Sequence, residues 1–121
     1  MNKTEQNRMI ALNWIAAFNE HNLNRLLDLY SPVAEHFSPK LKQRHPETGG
    51  LIKGREAMHS WWKDAFDRLP SLHYHLVNLL VGEDQLLMEY NREVEGEPVM
   101  KVAEILEIGN GLITRSRVYH G

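Results

Sequence analysis

Two hydrophobic periods divide this chain, and their order restricts the folds open to it. Through the first third, and again between Gly54 and Leu69, apolar residues recur three to four positions apart. From Leu72 onward they alternate, in four runs separated by turn signals. A helical stripe and a half-buried strand must each cover one face. Helices followed by hairpins do so by packing one layer on the other, which gives an α+β domain able to enclose a pocket.

The helical part reads as follows. Thr4 is the expected N-cap of a first helix, with Glu5 in its first turn. Ile10, Trp14, Ala17 and Phe18 mark its buried stripe. Asn22 caps a second helix whose Leu23, Leu26, Leu27 and Tyr30 keep the i, i+3, i+4, i+7 spacing, and Pro32 is expected to end it. Val33–Phe37 is a short extended segment. Residues 38–53 contain two prolines, the pair Gly49-Gly50 and no period, so they read as a long loop. Lys40, Lys42, Arg44, His45 and Lys53 make this stretch basic. It is either a solvated surface loop or a mouth that attracts an anionic ligand. After Gly54, the residues Met58, Trp61, Trp62, Ala65, Phe66 and Leu69 give a third helix, stopped by Pro70. Adjacent tryptophans point in different directions on a helix, so one enters the core and the other packs at an edge or a subunit contact.

The expected strands are 72–81, 86–94, 99–108 and 112–120, joined as antiparallel hairpins. Met88, Tyr90 and Arg92 share a face with Leu86 and Val94. Glu104 shares one with Met100, Val102, Leu106 and Ile108. A three-residue turn at Gly96-Glu97-Pro98 aligns these faces, with Tyr90 opposite Glu104 and Arg92 diagonal to it; a two-residue turn would mix them. Tyr90, Arg92 and Glu104 then converge inside. They form either a satisfied structural network, with Arg92 pairing Glu104, or a pocket cluster with Glu104 as general acid or base. Burial raises the pKa of such a carboxyl and a guanidinium lowers it. At the last turn, Asn110-Gly111 alone would set Arg117 opposite Glu104. A turn that includes Gly109 would set Ser116 there, with Val118 and His120 inside, and matches the apolar faces better.

Seven histidines is a high count for 121 residues. His36, beside the basic stretch, is the second catalytic candidate, because an ordinary imidazole transfers protons near neutrality. His73 and His75 share a strand face, but no third or fourth ligand accompanies them, so no metal is assigned. His21, His45 and His59 are expected at the surface. The formal charge of −2 gives no basic face for nucleic acid, and no apolar run is long enough for a membrane span or a signal peptide. Cysteine is absent, which excludes thiol catalysis and suits a reducing cytoplasm. No phosphate loop or nucleophile elbow occurs, and no cofactor is expected. No linker or repeat divides the chain, so residues 1–121 form one domain.

The segment from Trp14 to Tyr30, with Asn19-Glu20-His21-Asn22 between its helices, resembles the paired N-terminal helices of the nuclear transport factor 2-like superfamily. That group includes the SnoaL-type polyketide cyclases and the steroid delta-isomerases. Gly54-Arg55-Glu56-Ala57 resembles the opening of its third helix. Gly109 to Ile113, with Arg117-Val118-Tyr119, resembles its closing hairpin. The resemblance spans nearly the whole chain and speaks to fold more than function, since the fold hosts many activities. It implies a curved antiparallel (mixed) sheet wrapped around about three helices, a cone-shaped apolar pocket for a small apolar molecule, and homodimers through the outer sheet face. In the isomerases the first helix supplies an oxyanion-hole tyrosine, and Trp14 stands in the matching place. Their carboxylate base falls on Ser38 and their second pocket acid on Glu104. Catalytic roles are thus expected for Glu104 and His36, and substrate-lining roles for Trp14, Ser38, Met88, Tyr90, Arg92, Ser116 and His120. The reaction would be proton transfer, cyclisation or addition of water, and the alternative is a non-catalytic binding or dimerisation module.

Overall fold

The computed structural model of the chain describes residues 1–121. Its elements are α1 (Lys3–Asn19), α2 (Leu23–Leu27), β1 (Tyr30–Phe37), α3 (Pro39–Arg44), a 3-10 turn (Pro46–Thr48), β2 (Leu51–Lys53), α4 (Arg55–Arg68), β3 (His73–Val81), β4 (Gln85–Glu93), β5 (Met100–Gly109) and β6 (Leu112–His120). The strands form one curved, unclosed sheet in the order β2-β1-β6-β5-β4-β3. All neighbours are antiparallel except β1, which runs parallel to β6. No helix is long and apolar enough to cross a membrane.

Several local expectations change. Asn2, not Thr4, caps α1, its side-chain oxygen accepting from the Glu5 N–H at 2.8 Å. The second helix ends at Leu27, well before Pro32, so Tyr30 and Pro32 belong to β1. Pairing of β1 with β6 slips between Tyr30 and Glu35. A proline, which lacks an N–H, is tolerated in such an irregular stretch. The presumed long loop contains α3, started by the Ser38 side chain accepting from the Lys40 N–H at 3.2 Å with Pro39 in the first turn. Leu41 is its one buried residue, so a six-residue helix had no period to display.

The sheet registers explain how the inner face is built. In the β4–β5 hairpin, Met88 faces Glu104, Tyr90 faces Val102 and Arg92 faces Met100. This is a two-residue slip from the expected pairing, because residues 94–99 all leave the ladder. A slip of two keeps every side chain on its face, so the inner set survives. At the last hairpin, Asn110 (φ 52°) and Gly111 (φ 78°) form the two-residue turn, both in the left-handed region that tight hairpins use. That turn alone would point Arg117 inward. Thr114 bulges out between the Ile108–Ile113 and Glu107–Arg115 pairs, and beyond it Ser116 faces Leu106 and Val118 faces Glu104. Turn chemistry and apolar alignment are both satisfied, at the cost of one unpaired residue.

The helices lie on the inner face. α1 buries Ala11, Trp14, Ala17 and Phe18 against β3 and β4, while α4 buries Met58, Trp62, Ala65 and Phe66 toward β1 and β2. An aromatic stack crosses the layers: Trp14 on Phe18 (5.2 Å), Phe18 on Tyr74 (3.9 Å), Tyr74 on Tyr90 (4.1 Å). Burying one such ring contributes roughly 4–6 kcal/mol before the entropy of ordering is set against it. Two asparagines fasten α1 to the sheet. Asn7 donates to the Gly82 and Glu83 carbonyls at 3.0 and 2.8 Å. Asn19 donates to the Tyr74 carbonyl at 2.8 Å and accepts from its N–H at 2.7 Å, acting as a one-residue strand neighbour for β3. His21 follows in the left-handed conformation (φ 53°), stacks on Phe66 at 4.4 Å and reaches the Leu72 carbonyl at 2.7 Å. It closes the helix against the core instead of standing at the surface; His45 and His59 are exposed.

Candidate functional site

A cavity of about 220 Å³ opens between the helices and the inner face of the sheet. Its floor is buried: Trp14 and Phe18 from α1, Trp62 and Ala65 from α4, His36 from β1, Tyr90 from β4, Val102 and Glu104 from β5, and Val118 from β6. Its mouth is polar and more exposed, with Lys40, Gln43 and Arg44 on α3, Arg68 at the end of α4, Glu97 in the β4–β5 loop and His120 on β6.

Glu104 is the one buried carboxyl. It is 1% exposed, with Met88 and Val118 directly opposite on the neighbouring strands. Tyr90 donates its hydroxyl to Oε1 at 2.7 Å, whereas Oε2 has no hydrogen-bond partner. Burial raises the Glu104 pKa to about 7, opposed by the Tyr90 hydrogen bond. No guanidinium neutralises it. Arg92, the expected partner in a structural network, instead donates Nη1 to Glu97 Oε1 at 2.9 Å. The same burial, and the Glu104 charge, push the Tyr90 and Tyr74 hydroxyls up, so both stay protonated.

His36 sits at the end of a directed hydrogen-bond relay. The Trp14 indole N–H, which can only donate, points at the Tyr30 oxygen at 3.0 Å. Tyr30 donates to Ser116 Oγ at 3.1 Å. With Tyr30 donating to it, Ser116 Oγ turns its own proton to His36 Nδ1 at 2.7 Å. Nδ1 is therefore an acceptor, and the ring proton of neutral His36 lies on Nε2. Burial lowers the His36 pKa to about 3, which keeps the ring neutral across the physiological range. The ground for expecting a base, an ordinary imidazole pKa, is thus removed. What His36 offers the cavity is a donor.

The remaining expected residues divide. Trp14, Ser38, Tyr90, Arg92 and His120 line the cavity with Glu104 and His36. Trp14 presents only its ring, its N–H being committed to Tyr30. The Ser38 hydroxyl is engaged in capping α3. His120 stands at the mouth, its pKa lowered by partial burial and by the charges of Lys40 and Arg92. Met88 and Ser116 are a correction: both are fully buried and neither reaches the cavity wall. Strand alternation assigns a face but not a depth along it, and these two lie where that face is packed. His73 and His75 are exposed, and no cluster of three His, Asp or Glu residues is placed to hold a metal ion. Sequence reasoning passed over Phe18, Trp61, Trp62, Arg68 and Tyr74 as wall residues. Tyr74 was recoverable, since it alternates with the two histidines that drew attention away from it.

The SnoaL-like domain profile matches residues 11–116. No curated protein matches the chain. Among solved structures, a SnoaL-like protein of unknown function from Burkholderia thailandensis superposes with a TM-score of 0.87 at 24% identity, over 97% of this chain and 95% of its own. Bal32a, from a soil-derived mobile gene cassette, gives 0.84 at 22% identity, over 98% and 92%. A candidate ketosteroid isomerase from Kribbella flavida gives 0.82 at 19% identity, over 100% and 82%. At these identities the likeness is one of fold. With a family profile covering most of its length, and the curved sheet and helices in place, the chain belongs to the SnoaL-like domain family.

Proposed function

We propose that the cavity binds a small apolar carbonyl compound and that Glu104 moves a proton on it, in an isomerisation, cyclisation or hydration. The observation that carries this reading is the state of Glu104. It is buried, held at one oxygen by Tyr90, unpartnered at the other, and has a pKa of about 7. Both protonation states are then populated near neutrality, which is where a general acid-base group works best. Tyr90 fixes the carboxyl plane, and the Nε2–H of His36 supplies a hydrogen bond to a ligand oxygen. The aromatic floor supplies the apolar contact. Replacing Glu104 by Gln keeps the shape and removes the titrating proton. Turnover of a substrate found by screening apolar ketones and enones should fall by at least about a hundredfold. Equal turnover by both proteins would end the acid-base role.

A second reading, a pocket that binds without catalysis, is favoured by the commitments of Trp14 N–H and Ser38 Oγ to structural bonds. Under it, Glu104→Gln changes ligand affinity and no product forms. The outer sheet face carries a row of Leu80, Leu87 and Ile105, with Tyr119 beside it, and Leu80 and Tyr119 are well exposed. This row suits self-association through the sheet. Sedimentation that gives only monomer at micromolar concentration would count against it. The absence of cysteine fits a cytoplasmic setting.

A further inference from the structure

We propose that the cavity's ligand is an amphipathic carboxylate, its apolar body on the aromatic floor and its carboxylate held at the mouth by Arg92 and Lys40. This rests on the reading of the cavity as a small-molecule site and names the ligand class. The chain as a whole carries −2, yet the cavity wall is basic. Lys40, Arg44, Arg68 and Arg92 all line it. Asp64 serves both Arg44 (3.6 Å) and Arg68 (2.8 Å), and Glu97 serves Arg92 (2.9 Å), so three of the four cations share two carboxylates. Lys40 forms no ion pair.

Arg92 is the decisive group. It is only 9% exposed, and a guanidinium is costly to bury without partners. Its one hydrogen bond is the Nη1 contact to Glu97, on the exposed loop. None of its other donors is sealed from solvent, and Arg92 is one of the residues that line the cavity. A planar fork with unused N–H groups matches a carboxylate in two-point geometry. Lys40 adds a mobile point charge from α3. His120, at the same mouth, feels both cations, which agrees with Lys40 and Arg92 facing one space. The apolar body then lies along the floor, toward Glu104 and His36.

Isothermal titration with 2-naphthoate and its neutral isostere 2-naphthamide separates the possibilities. In the intact protein at low salt, naphthoate should bind at least tenfold tighter, and the margin should shrink as salt is added. Arg92→Met should abolish the margin by weakening naphthoate binding far more than naphthamide binding. Should that variant fold poorly, Lys40→Met, at a position on the rim, should still narrow the margin. Equal affinities in the wild type, or a margin that survives both substitutions, would overturn the anionic-ligand assignment alone. Failure of both compounds to bind would overturn the small-molecule reading and this inference with it.

Discussion

Tyr90 reaches Glu104 along a diagonal of the β4–β5 ladder: its hydroxyl donates to Oε1 at 2.7 Å although Val102, not Glu104, is its direct neighbour. The diagonal leaves Glu104 opposite Met88 and Val118, two apolar side chains that give the carboxylate no solvation. One hydrogen bond then works against nearly complete burial, and burial dominates.

A first consequence concerns stability. The Glu104 pKa of about 7 lies above its ordinary value of 4.5, so the folded protein holds a proton that the unfolded chain has lost. The Glu104 contribution is therefore full below pH 4.5 and is lost as pH rises to 7, amounting to ~3 kcal/mol. Glu104→Gln should be the more stable protein above pH 7 and close to wild type near pH 4.5, by urea denaturation.

His36 works in the opposite sense. Its pKa of about 3 lies below the ordinary 6.5, so the unfolded chain takes up a proton first. Its contribution is full above pH 6.5 and is lost as pH falls to 3, by up to ~5 kcal/mol. Between pH 4.5 and 6.5 the two slopes cancel. The wild-type profile should be much shallower there than that of either variant, with a residual rise from His120, whose pKa is also lowered. Glu104→Gln should instead rise with pH through that window, and His36→Gln should fall.

The relay makes a spectroscopic prediction. Long-range ¹H–¹⁵N correlation should find His36 as the Nε2–H tautomer at neutral pH, because Trp14 donates and sets the direction through Tyr30 and Ser116. Ser116→Ala removes the donor to Nδ1 and should release the bias toward a mixture. A predominant Nδ1–H tautomer in the wild type would refute the direction assigned.

The clasp between α1 and β3 is open to a simple test. Asn19→Ala removes two hydrogen bonds and leaves the Tyr74 backbone groups unpaired beside the core. The expected cost is about 1–3 kcal/mol in denaturant unfolding. Asn24→Ala, an exposed change on α2, should cost far less.

The fold was legible because period and turn residues act locally. The alternation from Leu72 onward identified four strands within two residues of their bounds and the shared faces of Tyr90, Arg92, Glu104, Ser116 and Val118. Register was less legible, because a slip of two leaves the pattern of faces intact, and the bulge at Thr114, which puts Ile113 and Ser116 on one face three residues apart, has no signature in a strict alternation. The short β2 and α3 escaped notice, since three and six residues carry too little periodicity. For the site, sequence indicated which side chains point inward but not which donors were already engaged. Arg92 with Glu97, Trp14 with Tyr30 and Ser38 with Lys40 are all tertiary or capping choices, made by geometry that alternation does not encode.

The most direct test is the titration of the Glu104 carboxyl itself, followed by infrared difference spectroscopy of wild type against Glu104→Gln. A protonated carbonyl band present at pH 5 should vanish with a midpoint near 7. A midpoint near the ordinary 4.5 would mean an ionised, solvated glutamate and would contradict the proposed site.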